Sequence, residues 1–411
     1  MSKIQKIMSR EVLAEGGIPV IQAKLKLDNN LEVEVTIPSN DHRTNYQKVE
    51  FYDNDQSRYH GKGVLRPVSF INDLIGPKLV GVSPQKQKEI DGWLLASDSS
   101  ELRNKLGVNT IYAISMLIAK AGAVDANIPL YSYINNIYNS SYGDSKIVLD
   151  KVPTPIITVL STTEELGVKL DFKEFQIIPT ASYQFAKSLE IGTTVATTFR
   201  ETYNSSTVNS NQDAIETITD TIESLDLKLG QDIFLSLNFM ASNYEKSGSY
   251  ELKDKAQALK ISDYLDFVKM IAKKYLPLVL IDPFLPSDWA SWKNLNLDLS
   301  KETYLVGNEL VSSSSKILQK VISEKLCSSF MVNPALVGTI TELFEMTTFI
   351  RKSGLNYVIS SSDHDTSDHS IADLAVGLQP DFVKFGLPTR TENLVKYNRM
   401  MEIEEEIKNI K

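Results

Sequence analysis

The chain has 411 residues, 42% of them hydrophobic and 23% charged, with a formal net charge of −9. This length exceeds what a single hydrophobic core usually organises, so we expect two domains. The acidic balance argues against nucleic acid or an anionic membrane surface as the main partner, because both attract cationic proteins.

The cysteine content and the lack of export signals indicate the cellular compartment. Cys327 is the only cysteine, which excludes an internal disulfide and fits a reducing environment. The N-terminal stretch has no apolar core of the kind found in signal peptides. The most apolar predicted helix, Ile111–Val124, contains Ser115 and Lys120 and is too short to span a bilayer. We therefore expect a cytoplasmic protein with no membrane partner.

The N-terminal region predicts an antiparallel hairpin followed by helices. Apolar and polar residues alternate over Gln22–Leu27 and again over Leu31–Ile37, on either side of the turn Asp28–Asn30. Two runs of period two around such a turn form a hairpin with one solvated face, on which the Lys and Glu rows are expected to pair. With the helical patterns that follow, residues 1–135 are expected to form an α+β domain.

A polar connector, Asn135–Lys146, leads into a region where strands and helices alternate to the end of the chain. The strand candidates are short aliphatic runs: Ile156–Leu160, Glu174–Ile178, Ile233–Phe239, Leu278–Asp282, Tyr304–Val306, Phe330–Asn333, Tyr357–Ser360 and Phe382–Phe385. Predicted helices follow most of them. This alternation by itself fits either an eight-stranded α/β barrel or an open doubly wound sheet.

The stretch Leu276–Trp292, LPLVLIDPFLPSDWASW, resembles the enolase family. A buried strand ends in Asp282-Pro283-Phe284, and Ser287 or Asp288 is expected to cap a helix that begins at Trp289. Further segments are similar to the family, notably SRYHGKGVLRPV, KLGVNTIYAISMLIAKAGA, IADLAVGL and VKFGLPTRTENLVKYNRM. The resemblance covers nearly the whole chain. It implies an enolase-type (β/α)8 barrel over residues 136–411, with the N-terminal α+β domain as its cap.

The resemblance also implies a reaction, the removal of water from 2-phosphoglycerate, in which magnesium stabilises an enolate. Three carboxylates hold magnesium in the family, and the matching positions here are Asn238, Ile281 and Asn308. Two neutral amides beside an aliphatic side chain are poor magnesium ligands. Asp282 and Glu309 directly follow Ile281 and Asn308 in the sequence. Because adjacent residues of a strand face opposite sides, we expect neither to replace the missing metal ligands. The sequence therefore predicts that the magnesium site is lost.

The groups for proton transfer and phosphate binding also differ from the family. The basic lysine corresponds to Asn333, and the glycine-rich loop with the acidic partner is replaced by a Ser/Asn linker after FRETYN. The serine loop of the N-terminal domain keeps Ser39 but has His42 at the metal-binding serine, and the loop histidine is Glu165. The phosphate-binding His-Arg-Ser corresponds to Ser361–Asp363, where an acidic group would repel phosphate.

Two family residues remain, Glu174 in KEF and Lys384 in VKFG. They are the candidate ligand-binding residues. The alternative is that the two charges pair inside the barrel mouth and have a structural role. No catalytic residue and no metal ligand is predicted.

A second candidate site is the loop Ser360–Ser370, which contains Asp363, His364, Asp365, Asp368 and His369. This density of Asp and His is compatible with a transition-metal site. We favour the interpretation as a solvated loop in which Asp368 caps the following helix, because a metal site needs ligands in a fixed geometry.

These observations predict an enolase-fold pseudoenzyme with a binding, scaffolding or regulatory role. The alternatives are an active enolase of the phosphopyruvate hydratase type and a metal-binding protein that uses the 360–370 loop. Because enolases are dimeric, the expected partner is a second copy or a true enolase. Glu402 stands where the family usually has Arg, which weakens that expectation.

Overall fold

A computed structural model describes residues 1–41, 44–143, 146–162, 170–202, 208–299, 303–312 and 314–410. The predicted positions His42 and Glu165 lie outside these ranges. The strands are β1 Ile4–Leu13, β2 Pro19–Leu27, β3 Glu32–Thr36, β4 Thr154–Ser161, β5 Glu174–Pro179, β6 Ile233–Asn238, β7 Glu245–Lys246, β8 Ser249–Tyr250, β9 Leu259–Lys260, β10 Val279–Ile281, β11 Tyr304–Gly307, β12 Ser329–Val332, β13 Asn356–Ser360 and β14 Phe382–Gly386.

The α-helices are α1 Leu65–Ser69, α2 Gly76–Leu79, α3 Gln87–Ser97, α4 Val108–Asp125, α5 Leu130–Ser141, α6 Phe185–Thr202, α7 Asn211–Ser224, α8 Ile261–Tyr275, α9 Trp289–Leu299, α10 Ser315–Glu324, α11 Pro334–Val337, α12 Ile340–Lys352, α13 Ser370–Leu378 and α14 Thr391–Ile410. A π-helical turn, Phe70–Ile75, joins α1 to α2. Among the described residues no single helix is long and apolar enough to cross a membrane; α4 and α5 would qualify only together, and they are bent by 102°.

The N-terminal region contains the predicted hairpin. Strands β1, β2 and β3 form an antiparallel sheet in that order, and β2 pairs with β3 so that Lys24 faces Glu34. The Nζ of Lys24 lies 2.7 Å from Glu34, and Lys26 lies 3.9 Å from Glu32. The opposite face of the sheet is buried and packs on α4. The expected pairing of the Lys and Glu rows is therefore confirmed.

Eight of the other described strands form a closed barrel with the order β10-β11-β12-β13-β14-β4-β5-β6, and β7, β8 and β9 form a separate short sheet. Strand β5 is antiparallel to both β4 and β6, and the other pairs are parallel. Among the described residues no helix lies between β4 and β5, and two helices, α6 and α7, follow β5 in succession before β6. This is the early strand–strand and helix–helix pair of the enolase-type barrel, so the predicted fold class is confirmed. The open doubly wound sheet is excluded because the strands close on themselves.

The barrel interior is a separate apolar cluster, formed by the inward side chains of the strands: Ile156, Ile178, Val279, Ile281, Val306, Met331, Val358 and Phe382. A larger core fills the space between the barrel and its outer helices and continues into the N-terminal sheet. The predicted division after residue 135 falls inside α5, which packs on α13. The boundary itself stays a prediction.

Two buried polar networks attach α12 to the N-terminal region. In the first, the Glu342 carboxylate accepts hydrogen bonds from Lys48 at 2.8 Å and Arg103 at 2.7 Å. Burial by itself would raise the pKa of Glu342, but the two cations outweigh it and lower the pKa. In the second, Asp91 accepts hydrogen bonds from Thr341 and Ser115. The two regions are thus joined by charge as well as by apolar packing.

The Glu342 network predicts a stability difference. Glu342→Ala leaves Lys48, whose side chain is 10% exposed, without its carboxylate. We expect a loss of about 3 kcal/mol in the free energy of unfolding, because an unpaired buried charge is costly. Urea denaturation measures it. Glu190→Ala removes an exposed partner of Lys187 and should cost less than about 1 kcal/mol. Equal effects of the two substitutions would contradict the assignment.

Candidate functional site

A cavity of about 350 Å³ lies at the carboxyl ends of the parallel barrel strands. Its wall includes the ends of neighbouring strands and the turns that follow them. Asn238 ends β6, Asn308 follows β11, Asn333 follows β12, and Lys384 lies on β14. Glu174 begins β5, whose opposite direction brings its first residue to the same edge. The structure therefore brings together most of the positions that the sequence singled out.

Ile281 is placed differently from these residues. It ends β10, is fully buried, and belongs to the apolar cluster inside the barrel. Side chains alternate along a strand, and Val279 and Ile281 both point inward. Within the described chain the cavity lining does not include Ile281. Ile281, which the sequence predicts to match a metal ligand of the family, thus contributes to the apolar packing beneath the cavity.

Glu174 and Lys384 form an ion pair, with Lys384 Nζ 2.8 Å from Glu174 Oε1. Their side chains are 3% and 13% exposed, respectively. The other carboxylate oxygen of Glu174 accepts hydrogen bonds from Asn238 at 2.5 Å and Gln176 at 3.3 Å. Burial alone would raise the pKa of Glu174, but the charges of Lys384 and Lys173 and these hydrogen bonds lower it. The carboxylate is held ionised and nearly saturated with donors.

Only one of the two polar side-chain atoms of Asn238 forms a hydrogen bond among the described residues. Its amide nitrogen donates to Glu174, whereas its Oδ1 is buried and accepts no hydrogen bond from the described residues. The residue is 3% exposed and lines the cavity. A buried acceptor without a donor is energetically unfavourable, which makes it a candidate contact for a ligand.

The prediction that Asp282 and Glu309 both face away from the cavity is wrong for Glu309. Glu309 lines the cavity and accepts a 2.6 Å hydrogen bond from Ser242. Strand β11 ends at Gly307, and the chain then turns, so strand alternation no longer decides the direction of residue 309. Asp282 instead accepts the backbone N–H groups of Asn308 and Glu309 and thereby fixes this turn. Burial and the nearby Glu309 carboxylate raise the pKa of Asp282.

Asn333, the predicted counterpart of the family's basic lysine, is held by hydrogen bonds to three residues. Its Nδ2 donates to Asn40 Oδ1 at 2.9 Å and to Ser362 at 3.1 Å. Its Oδ1 accepts the N–H of Ala335 and caps α11. Asn40 in turn donates to Glu50, so a chain of hydrogen bonds leads from the N-terminal region into the barrel mouth. No sequence pattern indicates a role for Asn40, apart from its place next to Ser39.

Ser39 does not line the cavity in the described chain. Its hydroxyl donates to Glu50 at 2.8 Å and lies 2.7 Å from the Tyr52 hydroxyl. Its backbone pairs with His364 in both directions at 3.0 Å. The side chain is therefore engaged within the N-terminal region.

The predicted phosphate-binding positions Ser361, Ser362 and Asp363 line the cavity. Asp363 lies 3.0 Å from Lys173, a cation that the sequence reasoning missed although it directly precedes Glu174. Among the described residues, seven acidic side chains line the cavity against three permanent cations. The acids are Glu15, Asp41, Glu174, Glu309, Asp363, Asp365 and Glu392; the cations are Lys173, Lys384 and Arg390. Among these described side chains, acids outnumber permanent cations.

The acidic and histidine side chains of the loop Ser360–Ser370 each pair with a different neighbouring residue or element. Asp365 lies 3.1 Å from Lys396, and Asp368 lies 3.3 Å from Lys120 and accepts the Ser370 N–H at the start of α13. Asp368 thus bonds to the start of α13 as expected, although the N-cap residue is His369, which makes no side-chain capping hydrogen bond. The two histidines lie near different acids, His364 near Asp41 and Glu15 and His369 near Asp373. Within the described ranges no group of three or more His, Cys, Asp or Glu side chains is arranged to hold a metal.

The residues at the mouth do not fit a magnesium ion. Magnesium requires anionic oxygens in nearly octahedral geometry. The three positions that would provide them are the amides Asn238 and Asn308 and the core residue Ile281. The amide nitrogen of Asn238 already donates a hydrogen bond to Glu174, and Glu174 already forms an ion pair with Lys384.

Cys327 is buried, and burial raises the pKa of its thiol. This supports the structural interpretation of the single cysteine, because a protonated, inaccessible thiol is a poor nucleophile.

Comparison with known proteins identifies the family. Residues 4–134 match the model of the enolase N-terminal domain, and residues 149–410 match that of the enolase C-terminal TIM barrel domain. An enolase from Ehrlichia canis (strain Jake) is 30% identical over 418 aligned positions, which cover 98% of this chain and 96% of that protein. Sequence matches and barrel topology agree over almost the full length. The chain belongs to the enolase family.

Proposed function

We propose that this chain is a non-catalytic member of the enolase family that acts by binding rather than by dehydrating 2-phosphoglycerate. The observation that carries the proposal is the state of the three magnesium positions. Two are amides, Asn238 and Asn308, and the third, Ile281, packs inside the barrel. The family's basic lysine is also absent, since Asn333 has no basic nitrogen and its amide caps α11.

The chemistry explains why these changes matter together. Removal of a proton next to a carboxylate produces a dianionic enolate, which needs cationic stabilisation. A metal contributes several kcal/mol to such a step, and a loss of about 4 kcal/mol slows a reaction roughly a thousandfold. An asparagine cannot replace the lysine as the base at neutral pH. The proposed loss of magnesium and of the base therefore acts on the same step.

We propose that the protein is cytoplasmic and that it associates with a second copy of itself or with a true enolase. Family membership supports both, because the resemblance that motivated them extends over the whole chain. The departure at Glu402 is accommodated within the chain, where its carboxylate lies 2.7 Å from Arg399 on the same helix. If the chain does retain activity, family membership supports a lyase of the phosphopyruvate hydratase type.

An activity assay tests the proposal directly. We expect turnover of 2-phosphoglycerate below about 0.1 per second at saturating magnesium, well under the range typical of enzymes. Formation of phosphoenolpyruvate is followed by its absorbance, with the Ehrlichia canis enolase as a positive control in the same buffer. Magnesium-dependent turnover above that rate, which disappears in Lys384→Met, would show that the chain is an active lyase.

The structural role of the Glu174–Lys384 pair gives a prediction with a defined pH dependence. Lys384→Met keeps the length of the side chain but removes the charge that lowers the pKa of Glu174. We expect a loss of about 3 kcal/mol in the free energy of unfolding at pH 7, because a buried carboxylate loses its partner. Chemical denaturation between pH 4 and pH 8 measures it, with the exposed Lys187→Met as control.

The sign follows from the lowered pKa. In the native protein the pair's contribution is present above the unfolded pKa of a glutamate and is lost as pH falls through the lower folded pKa. In Lys384→Met, burial of Glu174 without that cation favours its protonated form. The difference between the two proteins should therefore shrink towards pH 4. A small difference that does not change with pH would instead indicate that Lys384 is kept for a ligand.

A further inference from the structure

Part of the cavity wall at the barrel mouth comes from two segments of the N-terminal region. Glu15 and Gly16 belong to the first segment, and Asn40 and Asp41 belong to the second. Both segments are attached to the barrel through the loop Ser360–Ser370. The firmness of this attachment therefore sets how open the mouth is.

Main-chain hydrogen bonds provide the first part of the attachment. The N–H of Glu15 donates to the carbonyl of Asp365 at 3.0 Å, and Ser39 and His364 exchange two hydrogen bonds of 3.0 Å each. The pair of Ser39 and His364 is an isolated bridge outside the named strands. Isolated hydrogen bonds open more easily than a sheet, so side-chain contacts at the same place can shift the balance between attached and released segments.

The His364 side chain lies between two acids of the N-terminal region, one from each segment. Its Nε2 is 3.3 Å from Asp41 Oδ1, and its Nδ1 is 3.5 Å from Glu15 Oε2. The side chain is 21% exposed, so solvent screens these contacts only in part. A positive charge on this imidazole would therefore act on both segments at once.

A neutral imidazole cannot donate to both acids. It has one N–H and one lone pair, so when Nε2 donates to Asp41, Nδ1 turns its lone pair towards the Glu15 carboxylate. In agreement, Nδ1 of His364 is buried and has no hydrogen-bond partner among the described residues. A protonated imidazole has two N–H groups and can donate to Glu15 and Asp41 together.

The charged groups around His364 are paired among themselves. The pairs are Arg390 with Glu15 and Glu392, Lys62 with Asp41, Lys173 with Asp363, and Lys396 with Asp365. Arg390 lies 2.7 Å from Oε1 of Glu15, whereas His364 faces Oε2. These pairs leave the segments partly attached when the imidazole is neutral. Histidine is the side chain whose charge ordinarily changes between pH 5 and pH 8, so the additional contact depends on pH.

We propose that His364 is a pH-sensitive clamp on the barrel mouth. With its imidazole protonated, it holds Glu15 and Asp41, and with them the two N-terminal segments, against the barrel loop. With its imidazole neutral, the segments are released more often and the cavity opens further to solvent. The clamp controls access to the cavity and is independent of the chemistry proposed above.

Hydrogen–deuterium exchange of the full-length protein tests the clamp. The readout is the exchange rate of a peptide that covers Ile37–Asp41, in the wild type and in His364→Gln, at pH 5.5 and pH 8. The intrinsic pH dependence of exchange cancels in the ratio of the two rates. Glu50, which accepts the N–H of Asn40 and whose pKa is raised by burial, is present in both proteins. We expect His364→Gln to exchange about fivefold faster at pH 5.5 and within about twofold of the wild type at pH 8.

Two further variants locate the effect. Glu15→Gln removes the acid that faces Nδ1, and its exchange ratio to the wild type should be larger at pH 5.5 than at pH 8. His369→Gln removes the other histidine of the loop, which is 51% exposed and lies near Asp373. This control should stay within about twofold of the wild type at both pH values. Circular dichroism and the Tm confirm that each variant is folded.

A ratio for His364→Gln that is the same at pH 5.5 and pH 8, or equal effects of His364→Gln and His369→Gln, would overturn the clamp. Should His364→Gln fail to fold, the wild type decides. Its protection of Ile37–Asp41, corrected for intrinsic exchange, must fall from pH 5.5 to pH 8, and unchanged protection would contradict the proposal. No outcome depends on turnover of 2-phosphoglycerate, so the result is separate from that of the activity assay.

Discussion

Closure of the barrel forces alternate side chains of every strand into one enclosed space, and each of them must be packed or paired there. In this protein the deeper positions are apolar, with Ile281 and Val306 as members of the cluster. The upper positions are polar, and the Lys384–Glu174 pair is their centre. Thr158 on β4, between the two strands that carry the pair, also lies within 3.4 Å of Glu174. The pair thereby holds the antiparallel strand β5 in place beside β4.

The same constraint explains why Asn238, Ile281 and Asn308, the positions predicted to match the family's metal ligands, are uncharged. A carboxylate at position 238 or position 281 would be a buried charge with no metal to balance it. Ile281 instead contributes apolar packing, and Asn238 contributes a hydrogen bond to Glu174. Uncompensated charge in a low-dielectric interior is expensive, so loss of a metal favours loss of its ligands. The N-terminal segment adds to this arrangement, since Asn40 bonds to Asn333 and Ser39 pairs with His364. Hydrogen bonds within the protein thus occupy polar groups at the mouth of the barrel.

Much of the fold could be predicted from the sequence. Short aliphatic runs place every barrel strand within two residues of its observed bounds, because buried parallel strands are bounded by turn residues. The short sheet β7–β9 was not foreseen, since its strands have two residues each and show no alternation. The choice between barrel and open sheet required the family resemblance, because alternation of strands and helices does not encode closure.

The site could be predicted only in part. The loss of carboxylates at Asn238, Ile281 and Asn308 is visible in the sequence because a motif fixes these positions. The inward direction of Glu309 is not, because it depends on a turn after β11 that the Asp282 carboxylate stabilises. The contact between Asn40 and Asn333 joins residues 293 positions apart and leaves no local pattern. The carboxylates that line the cavity likewise come from residues that are distant in the chain.

We propose that the mouth of this barrel has no place for a divalent metal. Crystals soaked with manganese and 2-phosphoglycerate test it most directly, because manganese substitutes for magnesium and its anomalous scattering locates it without ambiguity. The expected result is no anomalous peak among Asn238, Ile281 and Asn308 and no phosphoglycerate beside Lys384. A manganese ion held by these residues with phosphoglycerate bound to it would contradict the claim.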